Sequence, residues 1–397
     1  MNVCFVTPEY FPISGGTGAY VYYLSHSLQK LGHNVHVVAR DNKHSEKTVN
    51  GIKVHYIKGV GNAITRYWRF ARNASKKIKE LNTQNNFDII HANLPLVPSF
   101  AIPKDASKAV VCAVHSTWKG EALVTKRDNP SELNPNEKSM LRFNFLLRIF
   151  EKRLMNRSDA LIAVSKYTVD ELTGLYGINE NKVHVIYNGV DTELFKPRPN
   201  KTELRKQFGL SPEEKVVLFV GRLYHRKGLE TLLASIPPIL KEFNNVTFAI
   251  SGTGFPEKEE SLKNLAKDLN IENKVKFLAY VPDDKLPSLY SASDIFVLPA
   301  IYENFPFAIL EAQSSGLPVI STKVGGIPEF LVDNENGFLI DPGDVTQLTQ
   351  RLLDLLQNPK LAEDMGERGR KLIHERLSWS LITQQVIDLY HRLLEKA

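Results

Sequence analysis

Two glutamates eight positions apart, Glu303 and Glu311, lie in the segment YENFPFAILEAQSSG, and each carboxylate could accept hydrogen bonds from a pair of neighbouring hydroxyls. The preceding run DIFVLPA predicts a buried strand, so Glu303 is expected in the loop after it. A helix is predicted to begin near Asn304 to Pro306 and to end near Gly316. A sugar ring and a ribose would suit the two carboxylates. The alternative is a capping glutamate and a surface glutamate. The apolar run FAIL beside Glu311 disfavours it, because buried carboxylates need partners.

A second group of residues has the chemistry of an anion site. In GRLYHRKGLE, Arg222 and Lys227 follow a predicted strand, and a helix is expected to start after Gly228. Cations are unfavourable at a helix N-terminus unless an anion such as phosphate lies between them. The backbone N–H groups of Phe307 and Ala308, at the start of the helix after Glu303, are predicted to be further donors. A solvated basic loop is the alternative reading.

Two strand ends in the first half of the chain carry weaker signals. Gly15 and Gly16 belong to the loop ISGGTG between a predicted strand and a helix, where backbone N–H groups can approach a phosphate. A simple tight turn would use the same glycines. His115 follows the run AVVCAV and could hydrogen-bond a substrate hydroxyl or stabilise developing positive charge. A structural histidine is an equally good interpretation.

The length of 397 residues predicts two domains of about 150 to 200 residues. Hydrophobic residues make up 43% and charged residues 24%, a composition typical of globular proteins. No apolar run is long enough to span a membrane, and the start MNVCFVTPEY lacks the features of a signal peptide. Cys4 and Cys112 are expected to be buried thiols in a reducing compartment. A cytoplasmic protein is therefore expected.

The net charge of +6 is unevenly distributed. Residues 1–200 contain 27 Lys and Arg against 17 Asp and Glu, which gives +10, whereas residues 201–397 contain 23 against 27, which gives −4. The two halves are therefore expected to meet different partners.

Short apolar runs alternate with amphipathic ones in both halves, which predicts an α/β protein with two doubly wound parallel sheets. Domains are predicted at 1–197 and 198–377, joined through the proline-containing segment 195–203, with a last helix within 378–397. Parallel sheets bind ligands beyond the carboxyl ends of their strands, so two facing sheets would place a site in the cleft between them. Predicted strands occupy the following runs: NVCFVTP, NVHVVAR, KVHYIKG, FDIIHAN, AVVCAVHS, ALIAVS, KVHVIYN, KVVLFVGRL, VTFAISGTG, VKFLAYV, DIFVLPA, PVISTKV and GFLID.

Together, ENFPFAILE, GRLYHRKG, YNGVD and the early GGTG loop resemble family 4 retaining glycosyltransferases over essentially the whole chain. The resemblance implies the GT-B fold, with two facing Rossmann-like domains and the donor in the cleft. It further implies a metal-independent, retaining hexosyltransferase that uses a nucleotide-diphosphate sugar, with UDP- or GDP-sugars favoured, and no cofactor. The acceptor would be a sugar, a small molecule, or a lipid-linked or cell-envelope glycan. No D-x-D motif, which metal-using transferases often carry, occurs in the sequence.

The resemblance also implies roles for individual residues. On the N-terminal side, Gly15 and Gly16 would approach the diphosphate or the acceptor, His115 would lie near the donor sugar, and Ser165 would line the cleft. On the C-terminal side, Glu303 would contact the sugar hydroxyls, Glu311 the ribose, and Arg222 and Lys227 the diphosphate. Pro306 stands where many members have glycine, and proline has no N–H. Contacts to the phosphate or sugar would therefore come from the N–H groups of Phe307 and Ala308 instead.

Other functions remain open on the sequence alone. A nucleotide-sugar epimerase has the same fold and releases no glycosylated product. A phosphorylase would need a lysine for pyridoxal phosphate, and no such site is evident. A nicotinamide-dependent enzyme would carry G-x-G-x-x-G in the first turn, which is absent, and a nucleotide sensor would leave Glu303 and His115 without a role.

The segment Arg66–Leu81 predicts an amphipathic helix with four bases on one face, Arg69, Arg72, Lys76 and Lys79. Such a helix could lie on an anionic membrane surface at the inner side of the membrane. The favoured alternative is that its apolar stripe packs on the sheet and its bases face solvent. A second basic stretch lies at residues 141–157. Nucleic acid is not an expected partner.

Overall fold

The computed structural model describes residues 1–13, 15–61, 63–126, 133 and 135–396. Its chain divides into two compact units. The first consists of residues 1–189 with the C-terminal residues from Trp379 onwards, and the second is Val190–Ser378. The chain therefore crosses between units after Gly189 and again after Ser378, where the sequence analysis placed the boundaries after residues 197 and 377.

The first unit is built on an eight-stranded sheet with the order β3-β4-β2-β1-β5-β6-β7-β8. All neighbouring strands pair in parallel except β3, which is antiparallel to β4. Its strands are β1 (Asn2–Val6), β2 (Asn34–Asp41), β3 (Ser45–Val49), β4 (Ile52–Lys58), β5 (Ile89–Leu94), β6 (Ala109–Val114), β7 (Ala160–Ala163) and β8 (Val183–Val185). Its first helices are α1 (Gly15–Lys30), α2 (Ala63–Asn85), α3 (Trp118–Thr125), α4 (Pro135–Arg157) and α5 (Lys166–Asp170).

Strand β3 was missed by the sequence analysis. Its sequence, SEKTV, is polar and mostly exposed, so it carries no apolar signal. A charged strand at the edge of a sheet is a common protection against pairing with other chains.

The second unit holds a six-stranded parallel sheet with the order β11-β10-β9-β12-β13-β14. Its strands are β9 (Lys215–Val220), β10 (Val246–Ser251), β11 (Val275–Phe277), β12 (Ile295–Leu298), β13 (Val319–Thr322) and β14 (Phe338–Ile340). Its helices are α6 (Lys201–Gln207), α7 (Leu229–Glu242), α8 (Pro256–Asp268), α9 (Leu286–Ala292), α10 (Phe307–Ser314), α11 (Val345–Gln357) and α12 (Pro359–Arg376).

Residues 195–203, predicted to join the two domains, lie within the second unit. Phe195 is buried, and its carbonyl oxygen accepts a hydrogen bond from Ser314 Oγ at 2.6 Å. Arg198 donates to Ser288 Oγ at 3.2 Å, and α6 begins at Lys201. The buried Phe195 and these contacts pack the segment against the rest of the second unit.

The last helix, α13 (Trp379–Leu394), belongs to the first unit, where it packs against α1. Its Tyr390 is fully buried, and the hydroxyl lies 2.5 Å from Nδ1 of His91 on β5. Burial lowers the pKa of His91 to about 3, so the ring is neutral and its Nδ1 shares a hydrogen bond with the tyrosine hydroxyl. The chain thus uses its final residues to complete the first domain.

Helix α2 contains the predicted amphipathic segment. Its apolar face joins the core of the first unit through Phe70, Ala71, Ala74, Ile78 and Leu81, which are all buried. The favoured interpretation, a stripe packed inward, is therefore what the structure has. None of the described helices combines the length and hydropathy that crossing a bilayer requires.

Candidate functional site

The loop that carries Glu303 follows β12 and is held in place from both sides by glycines. Gly228 has φ +72°, and a side chain there would put Cβ 1.8 Å from the carbonyl oxygen of Pro299. Gly325, at φ +54°, approaches the carbonyl oxygen of Glu303 just as closely, with a would-be Cβ at 1.5 Å. The N–H of Ile301 also donates to the carbonyl of Arg226 at 2.8 Å. Only glycine allows these approaches, so backbone contacts fix where Glu303 lies.

Lys227 and Glu303 form an ion pair in which Lys227 Nζ donates to Glu303 Oε1. The two side chains are only 16% and 14% exposed. Burial is the largest influence on the Lys227 pKa and lowers it, while Glu303 acts in the opposite direction. The sequence analysis treated these residues as separate ligand contacts, whereas the fold makes them partners at the carboxyl ends of two adjacent strands.

Arg222 lies in the loop directly after β9, at the same end of that sheet, and its side chain is exposed. The turn from His225 to Lys227 then leads through Gly228 into α7, as predicted. One exposed and one largely buried cation therefore flank the same strand-to-helix connection.

Helix α10 begins at Phe307, with Pro306 as its N-cap residue. The helix therefore starts within the predicted range of Asn304 to Pro306, although Asn304 is not its cap: this residue is buried, and its carbonyl oxygen accepts from the N–H of Gly326 at 2.9 Å. The Pro306 side chain makes no capping hydrogen bond. Proline needs no N–H at that position, which explains why it is tolerated, and the first helical residues, Phe307 and Ala308, remain partly exposed.

Glu311 lies in the middle of α10, where its Oε2 accepts a hydrogen bond from the Tyr290 hydroxyl at 2.7 Å. Tyr290 comes from α9 and is fully buried. Burial raises the pKa of Glu311 to about 7, and the tyrosine hydrogen bond opposes that rise. The second carboxylate is therefore positioned by a partner, and its pKa lies well above the ordinary value.

In the first unit, His115 follows β6 and its Nε2 donates to Asn93 Oδ1, at the end of β5, at 3.1 Å. The ring of Tyr20 contacts the histidine edge-on, with centroids 4.6 Å apart. Burial lowers the pKa of His115 to about 3, so the ring is neutral and its Nδ1 is a hydrogen-bond acceptor. It can hold a hydroxyl but cannot supply a positive charge.

Gly15 and Gly16 form the first turn of α1, after the loop that follows β1, and both are exposed. Gly15 has φ +74°, a conformation suited to glycine. The first turn contains no acidic side chain that would repel an anion.

Ser165 has a structural role in this geometry. It is fully buried and caps α5, accepting a hydrogen bond from the N–H of Thr168 at 3.0 Å. Its hydroxyl also lies 2.9 Å from Thr168 Oγ1.

The structure therefore joins Lys227 with Glu303 and gives Glu311 and His115 partners that the sequence analysis did not name. Asn93 could have been found, because it ends the predicted strand FDIIHAN. Tyr290 lies within a short helix of small and apolar residues and offers no local signal. Among the described residues, no cluster of three or more His, Cys, Asp and Glu side chains could hold a metal ion.

Comparison with protein families gives a match to each half of the chain. Residues 14–194 match Glycosyltransferase Family 4, and residues 200–372 match Glycosyl transferases group 1. The two matches together cover most of both units, but not the last helix, which follows residue 372.

Three curated proteins are similar along almost the whole chain. An uncharacterized glycosyltransferase of Methanocaldococcus jannaschii is 28% identical over 100% of this chain and 99% of its own. The N-acetyl-alpha-D-glucosaminyl L-malate synthase of Bacillus anthracis is 26% identical over 97% and 96%. A phosphatidylinositol N-acetylglucosaminyltransferase component from Arabidopsis thaliana is 28% identical over 100% and 83%.

Solved structures show the same fold. The sucrose-phosphate synthase of Thermosynechococcus elongatus aligns with a TM-score of 0.83 at 22% identity over 100% of both chains. Anabaena HepE, solved in complex with UDP-glucose, aligns with a TM-score of 0.76 at 21% identity over 99% of this chain and 100% of its own. These similarities and the two parallel-sheet units confirm the predicted α/β fold class.

Proposed function

This chain belongs to the glycosyl transferases group 1 family and is a glycosyltransferase with the GT-B fold, and from that premise we propose that it moves a hexose from a nucleotide-diphosphate sugar to a hydroxyl acceptor. The observation that carries the proposal is the buried Lys227–Glu303 pair, which lies in the same strand-end region as the N-terminus of α10. A carboxylate suits sugar hydroxyls, whereas a cation and helix N–H groups suit a diphosphate.

The donor contacts are assigned by the chemistry of each group. Arg222, Lys227 and the N–H groups of Phe307 and Ala308 would bind the diphosphate, and Glu303 would bind hydroxyls of the sugar. Glu311, already held by a tyrosine hydroxyl, would accept hydrogen bonds from the ribose. A UDP- or GDP-sugar is favoured, and the solved complex of HepE with UDP-glucose supports a donor of this class.

In the first unit, Gly15 and Gly16 would approach the diphosphate or the acceptor through their backbone N–H groups. The neutral ring of His115 would accept a hydrogen bond from a donor-sugar hydroxyl through Nδ1. Ser165 would act at the start of α5, which it caps. The acceptor would be a sugar, a small molecule or a lipid-linked glycan.

We propose that the reaction retains the anomeric configuration and needs no metal. The bond between the anomeric carbon and the phosphate oxygen breaks, and the acceptor oxygen bonds to the same face of that carbon. The departing diphosphate takes the proton of the acceptor hydroxyl. Arg222, Lys227 and the α10 N-terminus stabilise the negative charge that develops on the leaving group.

A cytoplasmic location, with contact to the inner membrane surface, completes the proposal. The bases on the solvent face of α2, within Arg66–Leu81, would contribute electrostatic attraction. Because the apolar face of α2 is buried in the core, this helix cannot insert into the membrane without unpacking the sheet.

The proposal is tested first at Glu303. Glu303→Ala should lower the rate of sugar transfer by about a hundredfold or more, because it removes a contact at the reacting sugar. Since it also leaves the Lys227 ammonium buried without its partner, Glu303→Gln should be measured beside it to separate chemistry from folding. Glu335→Ala, an exposed glutamate of the same unit, is the matched control.

The measurement combines a thermal-shift screen of UDP-, GDP- and ADP-sugars with analysis of the product by mass spectrometry and, for the anomeric configuration, by NMR. A glycosylated acceptor with retained anomeric configuration is expected. Release of an isomerised nucleotide sugar would indicate an epimerase instead. Wild-type turnover in Glu303→Gln would show that the assigned role of this residue is wrong.

A further inference from the structure

Helix α4 carries three large apolar side chains in water. Phe145 is 73% exposed, Leu146 47% and Ile149 45%. Positions 145, 146 and 149 lie on one side of a helix, since residues four apart are neighbours on its surface. The opposite side of α4 packs into the core of the first unit, where Leu154 and Met155 are fully buried. We call the three exposed residues the α4 apolar face.

Between residues 138 and 157, the exposed charges beside the α4 apolar face are all positive. Exposed bases precede it on the helix at Lys138 and Arg142 and follow it at Lys152 and Arg153. Glu151, which is the only acidic residue between positions 138 and 157, is fully buried. From residue 138 onwards, the solvent side of this helix therefore combines exposed apolar side chains with positive charge, and the acidic Glu137 lies in its first turn, away from them.

Helix α2 extends this surface. The ring of its exposed Trp68 packs edge-on against Phe150 of α4, with centroids 4.9 Å apart. Phe150 lies one helical turn from Leu146, so Trp68 borders the α4 apolar face. The next exposed bases on α2 are Arg69 and Arg72. The two helices thus form one surface, to which α4 contributes the accessible apolar groups and α2 further charge.

We propose that the α4 apolar face and its flanking bases dock the protein on an anionic lipid bilayer. Phe145, Leu146 and Ile149 would enter the boundary between headgroups and acyl chains, and the bases would extend to lipid phosphates. An acidic protein that matched only the bases would leave the three apolar side chains in water, whereas a bilayer interface accommodates both. This inference does not depend on the identity of the donor or the acceptor.

The first test is co-sedimentation of the full chain with vesicles of phosphatidylcholine, alone and mixed with phosphatidylglycerol. Binding is expected only to the mixed vesicles and should weaken as salt is raised. Phe145→Ser with Ile149→Ser should weaken it by about tenfold for each side chain. Arg142→Gln with Lys152→Gln should weaken it by about fivefold for each base.

The matched control is Arg72→Gln with Lys76→Gln, which removes two exposed bases from the solvent face of α2. A smaller loss is expected than for the α4 base pair. Equal losses would show that attraction is spread over the whole basic unit, which would overturn the assignment to α4. Donor-induced thermal shifts, measured on the same variants, should be unchanged, so failure of docking is distinguishable from failure of the proposed function.

A second readout reports insertion directly. Both natural cysteines are buried, so Phe145→Cys provides an exposed thiol for an environment-sensitive fluorophore. Its emission should shift to the blue on the mixed vesicles, whereas the same label at Lys360→Cys, an exposed position in the second unit, should not respond. Absence of vesicle binding at low salt would overturn the proposal. So would equally tight binding to soluble polyglutamate without a blue shift, which would indicate an acidic protein partner.

Discussion

At the scale of single residues, a tyrosine influences the pKa of Glu311, the proposed ribose ligand. The Tyr290 hydroxyl donates to one carboxylate oxygen, and its hydrogen bond partly offsets the effect of burial on the Glu311 pKa. An ionised carboxylate accepts hydrogen bonds from two ribose hydroxyls better than a protonated one, because protonation turns one oxygen into a donor. Donor affinity should therefore depend on pH.

Donor binding is predicted to weaken as pH falls below about 7, the raised pKa of Glu311 in the free protein. Well below this pKa, the affinity for the donor should fall about tenfold for each unit of pH, because one proton is taken up by the free protein. Titration calorimetry with the preferred nucleotide sugar between pH 5 and 8 measures it. Glu311→Gln should bind more weakly at pH 8 and lose this dependence.

Tyr290→Phe provides the matched variant. It removes the hydroxyl that lowers the Glu311 pKa while keeping the ring in the core, so the midpoint of the affinity profile should move to higher pH. A profile that stays unchanged would show that Tyr290 does not act through Glu311.

At the scale of elements, the loops after β9 and β12 are positioned by backbone contacts. The carbonyl of Pro299 lies where a side chain at Gly228 would be, and that approach brings the Lys227 turn against the Glu303 loop. The stability of the ion pair therefore depends on a glycine that contributes no side chain itself.

Gly228→Ala is predicted to destabilise the second unit and to impair turnover. The substitution adds the steric cost of a left-handed conformation, about 1–2 kcal/mol, and forces the two loops apart. Gly343→Ala is the control, since Gly343 also has φ +78° but has no atom within 4 Å of a would-be Cβ. Urea denaturation should show a clearly larger loss for Gly228→Ala. Equal losses would mean that the close approach to Pro299 does not matter.

The start of α3, directly after His115, depends on a buried carboxyl in α4. Glu151 accepts the N–H of Trp118 at 3.1 Å and the hydroxyl of Tyr176. The Tyr176 oxygen in turn accepts the N–H of Lys119 at 3.1 Å. The first N–H groups of α3 are thus satisfied inside the protein, which positions the segment that follows β6.

Burial raises the pKa of Glu151 to about 8 from an ordinary value of 4.5. Between those two pH values the folded state keeps a proton that the unfolded state has released, so stability is predicted to fall as pH rises through this window. Glu151→Gln removes that loss, and its stability relative to wild type should increase from pH 5 to pH 8 in urea denaturation. The exposed control Glu335→Gln should show no such trend.

At the scale of the whole molecule, the last helix joins the chain's two ends within one domain. The chain leaves the first unit after Gly189 and re-enters it at Trp379, and these two residues are in contact. A side chain at Gly189 would place Cβ 2.8 Å from the Trp379 ring. Helix α13 then brings Tyr390 into contact with His91. His91 in turn contacts the ring of Tyr20, which also packs against His115, so the last helix supports the surroundings of His115.

Tyr390→Phe is predicted to destabilise the first unit by about 1–3 kcal/mol, because it leaves the buried Nδ1 of His91 without its hydrogen-bond partner. Tyr280→Phe, at an exposed tyrosine, should change stability little. Thermal unfolding of the two variants makes the comparison. A Tyr390→Phe variant as stable as wild type would show that the helix is held by apolar packing alone.

The sequence by itself determined the two parallel sheets, the strands next to the candidate site, the C-terminal end of α10 and the start of α7. Apolar runs, glycines and prolines are local signals of strands and turns, and parallel sheets present ligand-binding residues at their carboxyl ends. Strand β3 and the cap of α10 were missed or misplaced, because a polar edge strand and a competing backbone contact leave no such signal.

Only the tertiary structure decided which side chains pair with the candidate site residues. Lys227 meets Glu303 across 76 positions, and Tyr290 meets Glu311 from another helix. It also buried the apolar stripe of α2 and left the α4 apolar face exposed, although both helices come from basic stretches of the sequence. The physical reason is that burial and pairing depend on which elements lie next to each other, and this is set by packing over long sequence distances rather than by local composition.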